Sequence, residues 1–176
     1  MSNTPIFVLG GTRSGKSRWA EQRAQESALE VVYVATATAG DAEMQTRIAR
    51  HQAQRPAHWA LVEESLALAD ALWANARPDR CLLVDCLTLW LTNLLLFSDT
   101  GRLARERAEL LCALPQLPGQ IILVSNETGL GILPLGELTR RYSDEIGLLH
   151  QDVARLCDPV VFMLAGLPHY LKGSSV

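Results

Sequence analysis

An α/β domain with a mostly parallel sheet flanked by helices is predicted by three observations on this chain. Short runs rich in β-branched residues alternate with longer helical stretches, the pattern of parallel strands covered on both faces. A glycine-rich turn joins the first such run directly to the first helix. The chain has 176 residues, 48% of them apolar and 20% charged, which suits a single globular domain with a substantial core.

The strands are expected at Ile6–Leu9, Val31–Ala35, Cys81–Asp85, Ile121–Ser125 and Val160–Leu164. The first two and last two are rich in Val and Ile, as strands buried on both faces should be. Trp59–Val62 adds a sixth candidate. Helices are expected at Lys16–Ser27, Asp41–Gln54, Ser65–Ala74, Leu87–Phe97, Leu103–Leu114 and Leu135–Cys157. Asp41 suits the N-cap of the second of these, with Gly40 supplying the turn before it. Loops fall at Arg77-Pro78-Asp79, at Asp99-Thr100-Gly101 and from Pro115 to Gly119. The last four residues, Gly173 to Val176, are expected to fray.

The segment Gly10-Gly11-Thr12-Arg13-Ser14-Gly15-Lys16-Ser17 fits the phosphate-binding pattern G-x-x-x-x-G-K-[ST]. Its glycines let the backbone bend around an anion, so that successive N–H groups and the helix N-terminus point at a phosphate. Lys16 then reaches the β- and γ-phosphates, and the Ser17 hydroxyl is placed to ligate Mg²⁺. Lys16 is one of two lysines in the chain, the other being Lys172. The strand before the motif and the helix after it are the context that the motif requires. A nucleoside triphosphate is the expected ligand.

Ligands of open α/β sheets sit at the carboxyl ends of the strands, which singles out further residues. Asp85 ends Leu82-Leu83-Val84, the pattern of a carboxylate that holds Mg²⁺ beside a phosphate loop; capping of the following helix is the alternative. Glu127 follows Leu123-Val124-Ser125-Asn126, where it can orient a substrate hydroxyl or a metal-bound water or remain a solvated loop acid. Met44, Ile48 and His51 share a helix stripe, with Arg47, Arg50 and Arg55 nearby. His51 reads either as a core histidine or as a nucleophile toward phosphorus, with the arginines holding the anionic oxygens. His58, His150 and His169 read as structural or surface residues. The nearest approach to the N-K-x-D guanine signature is Asn126-Glu127-Thr128-Gly129, which does not match it, so the base preference is not legible locally.

Composition excludes several function classes. A net charge of −3 gives no basic field, and nucleic acid is not expected as a partner. Cys81, Cys86, Cys112 and Cys157 lack C-x-x-C spacing, so reduced thiols are expected rather than a zinc site or disulfide framework. No signal peptide opens the chain, and Leu87–Phe97 is too short to span a bilayer. A cytoplasmic enzyme is expected.

The phosphate loop also resembles the G-G-x-R-S-G-K-S loop of the bifunctional adenosylcobinamide kinase/adenosylcobinamide-phosphate guanylyltransferases of cobalamin biosynthesis. The likeness continues in Tyr33-Val34-Ala35-Thr36-Ala37 and in Asp41 to Trp59, with Arg47-Ile48, His51 and Arg55-Pro56. It resumes at Leu83-Val84-Asp85-Cys86-Leu87-Thr88 with Thr92-Asn93-Leu94, and again at Val124-Ser125-Asn126-Glu127 with Gly129, Gly131-Ile132 and Pro134. Arg141, Asp144, Gly147 and Ala165-Gly166-Leu167-Pro168 complete it. One departure is Leu148-Leu149-His150-Gln151, where an Asn is expected before the Gln.

The resemblance implies a RecA-like P-loop fold and a homotrimer. It implies phosphorylation of adenosylcobinamide by ATP or GTP, then transfer of GMP from GTP to that phosphate through a guanylylated histidine. His51 is similar in position to that histidine. Gly10 to Ser17, Ala35, Thr36, Ala37, Gln52, Ala53, Gln54, Arg55, Glu63 and Asp85 fall where the family contacts the guanine nucleotide. Two other readings of the chain remain at this stage, a simple P-loop kinase for another alcohol and a nucleotide-regulated switch.

Overall fold

The computed structural model describes residues 4–38, 56–99, 101–132 and 135–174. The predicted helix Asp41–Gln54, His51 and the run Gln52 to Arg55 lie outside the described residues. Seven strands form one sheet: β1 (Ile6–Gly10), β2 (Glu30–Ala35), β3 (Ala60–Glu63), β4 (Arg80–Asp85), β5 (Gln120–Asn126), β6 (Val160–Leu164) and β7 (Leu167–Lys172). The described helices are α1 (Lys16–Glu26), α2 (Leu68–Asn75), α3 (Leu87–Leu96), α4 (Arg102–Ala113) and α5 (Glu137–Leu156).

The strand order is β3-β2-β4-β5-β1-β6-β7. Every pairing is parallel except that of β7 with β6. Side chains alternate between two apolar layers, as the two-residue period of a strand requires. Phe7, Leu9, Val32, Val34, Leu82, Val84, Ile121 and Leu123 face α2 to α5. Val8, Val31, Tyr33, Leu83, Ile122 and Val124 face the other way, toward α1. α1 meets the sheet through Ala20 and Ala24, four residues apart and fully buried, so the small side chains bring the helix close to the strands. α3 is apolar on most sides and buries Trp90 completely; the indole Nε1 donates to the Leu66 carbonyl at 2.7 Å.

Two expectations require correction. Pattern reading misses β7, whose side chains are mostly exposed and whose sequence Leu167-Pro168-His169-Tyr170 lacks a strand's usual β-branched residues. A two-residue turn creates it: Leu164 pairs with Leu167, and Ala165 and Gly166 have φ of 52° and 80°, the doubly positive geometry of a tight hairpin. β7 runs to Lys172, directly before the four residues expected to fray. Lys172 Nζ donates to the carbonyls of Ala154 and Arg155, and Gly173 packs on Asp158 and Pro159.

The second correction concerns α2, which begins three residues later than the predicted start at Ser65. The Glu64 carboxylate takes the Leu66 and Ala67 N–H groups at 2.7 and 2.8 Å. That holds the chain in a turn before the helix can start. Among the described residues, the other predicted elements agree with the observed ones within one or two residues.

Because β1 to β6 run parallel, their carboxyl ends share one edge of the sheet. The register places Gly10 opposite Asn126 and Met163, and Ala35 opposite both Asp85 and Glu63. β5, which ends in Asn126 and leads to Glu127, stands between the strand feeding the glycine loop and the strand ending in Asp85.

Candidate functional site

The loop after β1 is shaped by its backbone. Ser14 N–H donates to the Gly11 carbonyl at 3.2 Å, and Trp19 N–H donates to Gly15 at 2.9 Å. Gly15 sits at φ 94° as the N-cap of α1, a conformation that side-chain-bearing residues rarely adopt. It offers no side-chain cap, and the first turn of α1 contains no acidic residue. Basic Lys16 and Arg18 occupy that turn instead, against the usual preference for negative charge at a helix N-terminus. Uncapped amides with a positive escort suit an anionic ligand. Lys16 Nζ donates to the Gly11 carbonyl at 3.2 Å, which keeps the ammonium against the loop.

Neighbouring backbone braces this loop. A Cβ on Gly10 would come within 2.7 Å of the Met163 carbonyl, and one on Gly15 within 3.3 Å of Gly166 Cα. Gly166 N–H, in the hairpin turn before β7, donates to the Ser14 carbonyl at 3.0 Å. The unpredicted hairpin therefore buttresses the predicted loop. Ser14 is buried and its Oγ has no hydrogen-bond partner among the described residues. Thr12 and Arg13 are exposed, and Ser17 is half-buried.

Side chains stitch the rest of the edge together. Asp85 is half-buried, and its Oδ2 accepts the Tyr33 hydroxyl at 2.9 Å. Thr36 is fully buried; its Oγ1 donates to the Cys86 carbonyl at 2.7 Å and accepts the Cys86 N–H at 2.9 Å. Asn93 Nδ2 ties the Thr36 and Ser65 carbonyls to α3 at 2.8 and 3.1 Å. Asn126 Nδ2 donates to Thr88 Oγ1 at 3.3 Å, and that hydroxyl also meets Cys86 Sγ. Burial pushes the Cys86 thiol up to about 11, with the Asp85 charge adding to the effect, so it remains a neutral thiol near pH 7. Of the other predicted contacts, Ala35 and Ala37 are half-buried beside this web, and Glu63 is exposed at the end of β3.

Glu127 lies next to the loop, its N–H donating to the Gly10 carbonyl at 3.0 Å. Its Oε1 accepts Gly129 N–H at 2.5 Å, and its Oε2 lies 3.8 Å from His150 Nδ1. His150 Nε2 in turn meets the buried Ser125 hydroxyl at 2.8 Å. Burial lowers the His150 pKa from its ordinary 6.5, while the Glu127 charge pulls it the other way. Tyr142, two helical turns before His150 on α5, faces the same region; burial pushes its hydroxyl up to about 12, against a hydrogen bond with Thr128. The structure thus gathers Lys16, Ser17, Asp85 and Glu127 on one edge. Beside the predicted Thr36 it adds Tyr33, Asn93, Asn126 and His150, none of which was singled out as a site residue. Tyr33, Asn93 and Asn126 lie within the blocks that carry the family resemblance, whereas His150 lies 25 residues beyond Ser125.

Several donors at this edge fit Mg²⁺. It favours oxygen ligands, retains water and shares phosphate oxygens, so one or two protein donors suffice. The Ser17 hydroxyl and the Asp85 carboxylate are of that kind.

Comparison with known proteins places these features in a family. The pattern described as cobinamide kinase / cobinamide phosphate guanyltransferase matches residues 6–171. A Pseudomonas aeruginosa protein named bifunctional adenosylcobalamin biosynthesis protein CobP is 64% identical, over 95% of this chain and 96% of its own length. The CobU protein of Salmonella typhimurium, also named as a bifunctional adenosylcobalamin biosynthesis protein, is 38% identical over 95% of this chain and 99% of its own.

Similarity to solved structures concerns fold alone. A KaiC-like protein of Pyrococcus horikoshii superposes with a TM-score of 0.50 at 16% identity, covering 92% of this chain and 71% of its own. Another structure from that organism gives 0.59 at 9% identity, covering 99% and 88%. The sheet order and the loop after β1 agree with a RecA-like P-loop fold. The chain belongs to the cobinamide kinase / cobinamide phosphate guanyltransferase family.

Proposed function

We propose that this chain phosphorylates the alcohol of adenosylcobinamide with ATP or GTP and then transfers GMP from GTP to the new phosphate, giving adenosylcobinamide-GDP. The observation that carries this reading is the juxtaposition of an uncapped, lysine-bearing helix N-terminus with the Glu127 carboxylate, joined through the Glu127 N–H to Gly10 carbonyl bond at 3.0 Å. One element holds polyphosphate, and the other faces an incoming hydroxyl.

In the kinase step, the amides of Gly11 to Ser17 and the Lys16 ammonium spread the charge of the transferred phosphoryl group, which is catalysis chiefly by positioning and electrostatics. Ser17 and Asp85 would hold Mg²⁺, which neutralises charge on the β- and γ-phosphates when bound. Tyr33 fixes the Asp85 carboxylate in place. Glu127 accepts the proton of the attacking hydroxyl.

In the second step, His51 Nε2 or Nδ1 attacks the α-phosphorus of GTP, and pyrophosphate leaves with the bonding electron pair. The cobinamide phosphate then displaces the imidazole and takes the GMP group. Covalent catalysis divides a difficult transfer between two polyanions into two easier ones. The role of His51 rests on its place in the sequence motif, together with Gln52, Ala53, Gln54 and Arg55. The enzyme is further proposed to be a cytoplasmic homotrimer, the trimer being what the family resemblance implies; among the described residues no helix is long and apolar enough to cross a membrane.

Incubation with α-labelled GTP and Mg²⁺, followed by denaturation, tests the reading. An acid-labile, alkali-stable label that is absent from His51→Asn is the expected result. An unlabelled wild-type protein would reduce the assignment to a simple kinase or a nucleotide switch, and phosphate transfer to cobinamide would then separate those two.

A further inference from the structure

We propose that His150 is a positioning residue for Glu127: its Nδ1–H holds the carboxylate facing the phosphate loop, and the Ser125 hydroxyl selects the tautomer that does so. The inference rests on the reading of Glu127 as the acceptor of the substrate proton.

The geometry leaves little freedom in the assignment. Ser125 and Glu127 are two residues apart at the end of β5, so both side chains project from the same face of the chain. The His150 ring comes from α5 and lies between them. Nε2 is 2.8 Å from the Ser125 hydroxyl and Nδ1 is 3.8 Å from Glu127 Oε2. The ring is buried and meets Phe7 in an edge contact with centroids 5.6 Å apart.

A neutral imidazole has one donor nitrogen and one acceptor nitrogen. A carboxylate can only accept, so the nitrogen facing Glu127 carries the proton. Nε2 is then bare and receives the Ser125 O–H. The opposite tautomer would aim a lone pair at the carboxylate. Serine is suited to this selection because its hydroxyl rotates to donate. The other Glu127 oxygen is already held by Gly129 N–H at 2.5 Å, which leaves Oε2 as the oxygen that faces His150. At 3.8 Å the pair is beyond hydrogen-bond distance, so the ring and the carboxylate are required to close together when substrate binds. The departure noted at this position has a physical reading. An asparagine amide can place a donor near where Nδ1 sits, whereas glutamine extends to the position of Nε2.

That isosterism provides the experiment. The phosphorylation kcat and the yield of His51 adduct from α-labelled GTP are measured for Glu127→Gln, His150→Asn and His150→Gln. Expected are a kcat loss of about 10²- to 10⁴-fold in Glu127→Gln, near wild-type kcat in His150→Asn, and a loss of roughly ten- to hundredfold in His150→Gln. Adduct yield and the KM for the triphosphate stay unchanged in all three. Equal kcat values for the Asn and Gln variants, or a better Gln variant, would overturn the proposal, because a role confined to packing against Ser125 favours Gln. A harmless Glu127→Gln would refute the underlying reading of Glu127 instead, and the proposal with it. ¹⁵N spectra of histidine-labelled wild-type enzyme, assigned by the missing signal of His150→Asn, need no altered fold. A protonated Nδ1 and bare Nε2 are expected, and the reverse tautomer would refute the proposal.

Discussion

From Gly10 to Ser17 the edge of the sheet is shaped by main chain, with Gly15 in a left-handed conformation and Gly166 donating to the Ser14 carbonyl. From Thr36 across to His150, the same edge is held by hydroxyl, amide and imidazole groups reaching between elements. The difference teaches where each half is vulnerable. The loop works because atoms are missing from its glycines, so it is broken by adding one. The web works because polar atoms are present on buried side chains, so it is broken by removing one.

Of these two kinds of change, the larger effect is expected from a single added methyl in the loop. In Gly10→Ala the new carbon approaches the Met163 carbonyl to 2.7 Å, a backbone atom of the paired strand that cannot rotate away. Overpacking of this kind costs about 1–3 kcal/mol. The shift of the loop amides should weaken GTP binding at least tenfold by calorimetry. Unchanged affinity would place the triphosphate elsewhere.

Deleting one hydroxyl in the web comes next. Thr36→Val keeps the shape but leaves the buried Cys86 N–H without its partner and the Cys86 carbonyl with Trp90 N–H alone. A loss of about 1–3 kcal/mol is expected in urea unfolding, with GTP affinity changed less than in Gly10→Ala. A variant as stable as wild type would show that the clamp between the ends of β2 and β4 is dispensable.

These contrasts also explain what was legible beforehand. The phosphate loop is contiguous, and each of its residue types answers a local demand, so eight consecutive letters define it. Asp85 and Glu127 follow apolar runs, which makes a strand end readable without knowing its neighbours. His150 could not be connected to Ser125 in this way, because only the packing of α5 on β5 brings them together. The hairpin ending in β7 escaped for a different reason: its turn relies on a positive φ at Ala165, which alanine does not advertise. Thr36 was predicted as a nucleotide contact, but its side chain is fully engaged with Cys86, its N–H with the Asp85 carbonyl and its carbonyl with Asn93.

The smallest effect is a titration. The folded state lowers the pKa of His150 from 6.5, chiefly through burial. Below that value the unfolded chain binds the proton more readily, so stability falls as pH drops from about 6.5 toward the lowered value. One proton contributes at most about 1.4 kcal/mol per pH unit. His150→Asn should therefore lose less stability than wild type as pH falls below about 6.5 in urea titrations. Parallel curves for the two proteins would mean that the ring is not held neutral by its surroundings.

The account as a whole depends on one triphosphate cradle serving both half-reactions. The most direct test is Lys16→Ala, assayed side by side for phosphorylation of cobinamide and for the labelled adduct at His51. Both are expected to fall together by about 10²- to 10³-fold, as befits loss of a preorganised charge contact. Adduct formation at the wild-type rate in a variant that no longer phosphorylates cobinamide would contradict a shared cradle and require a separate site for the second GTP.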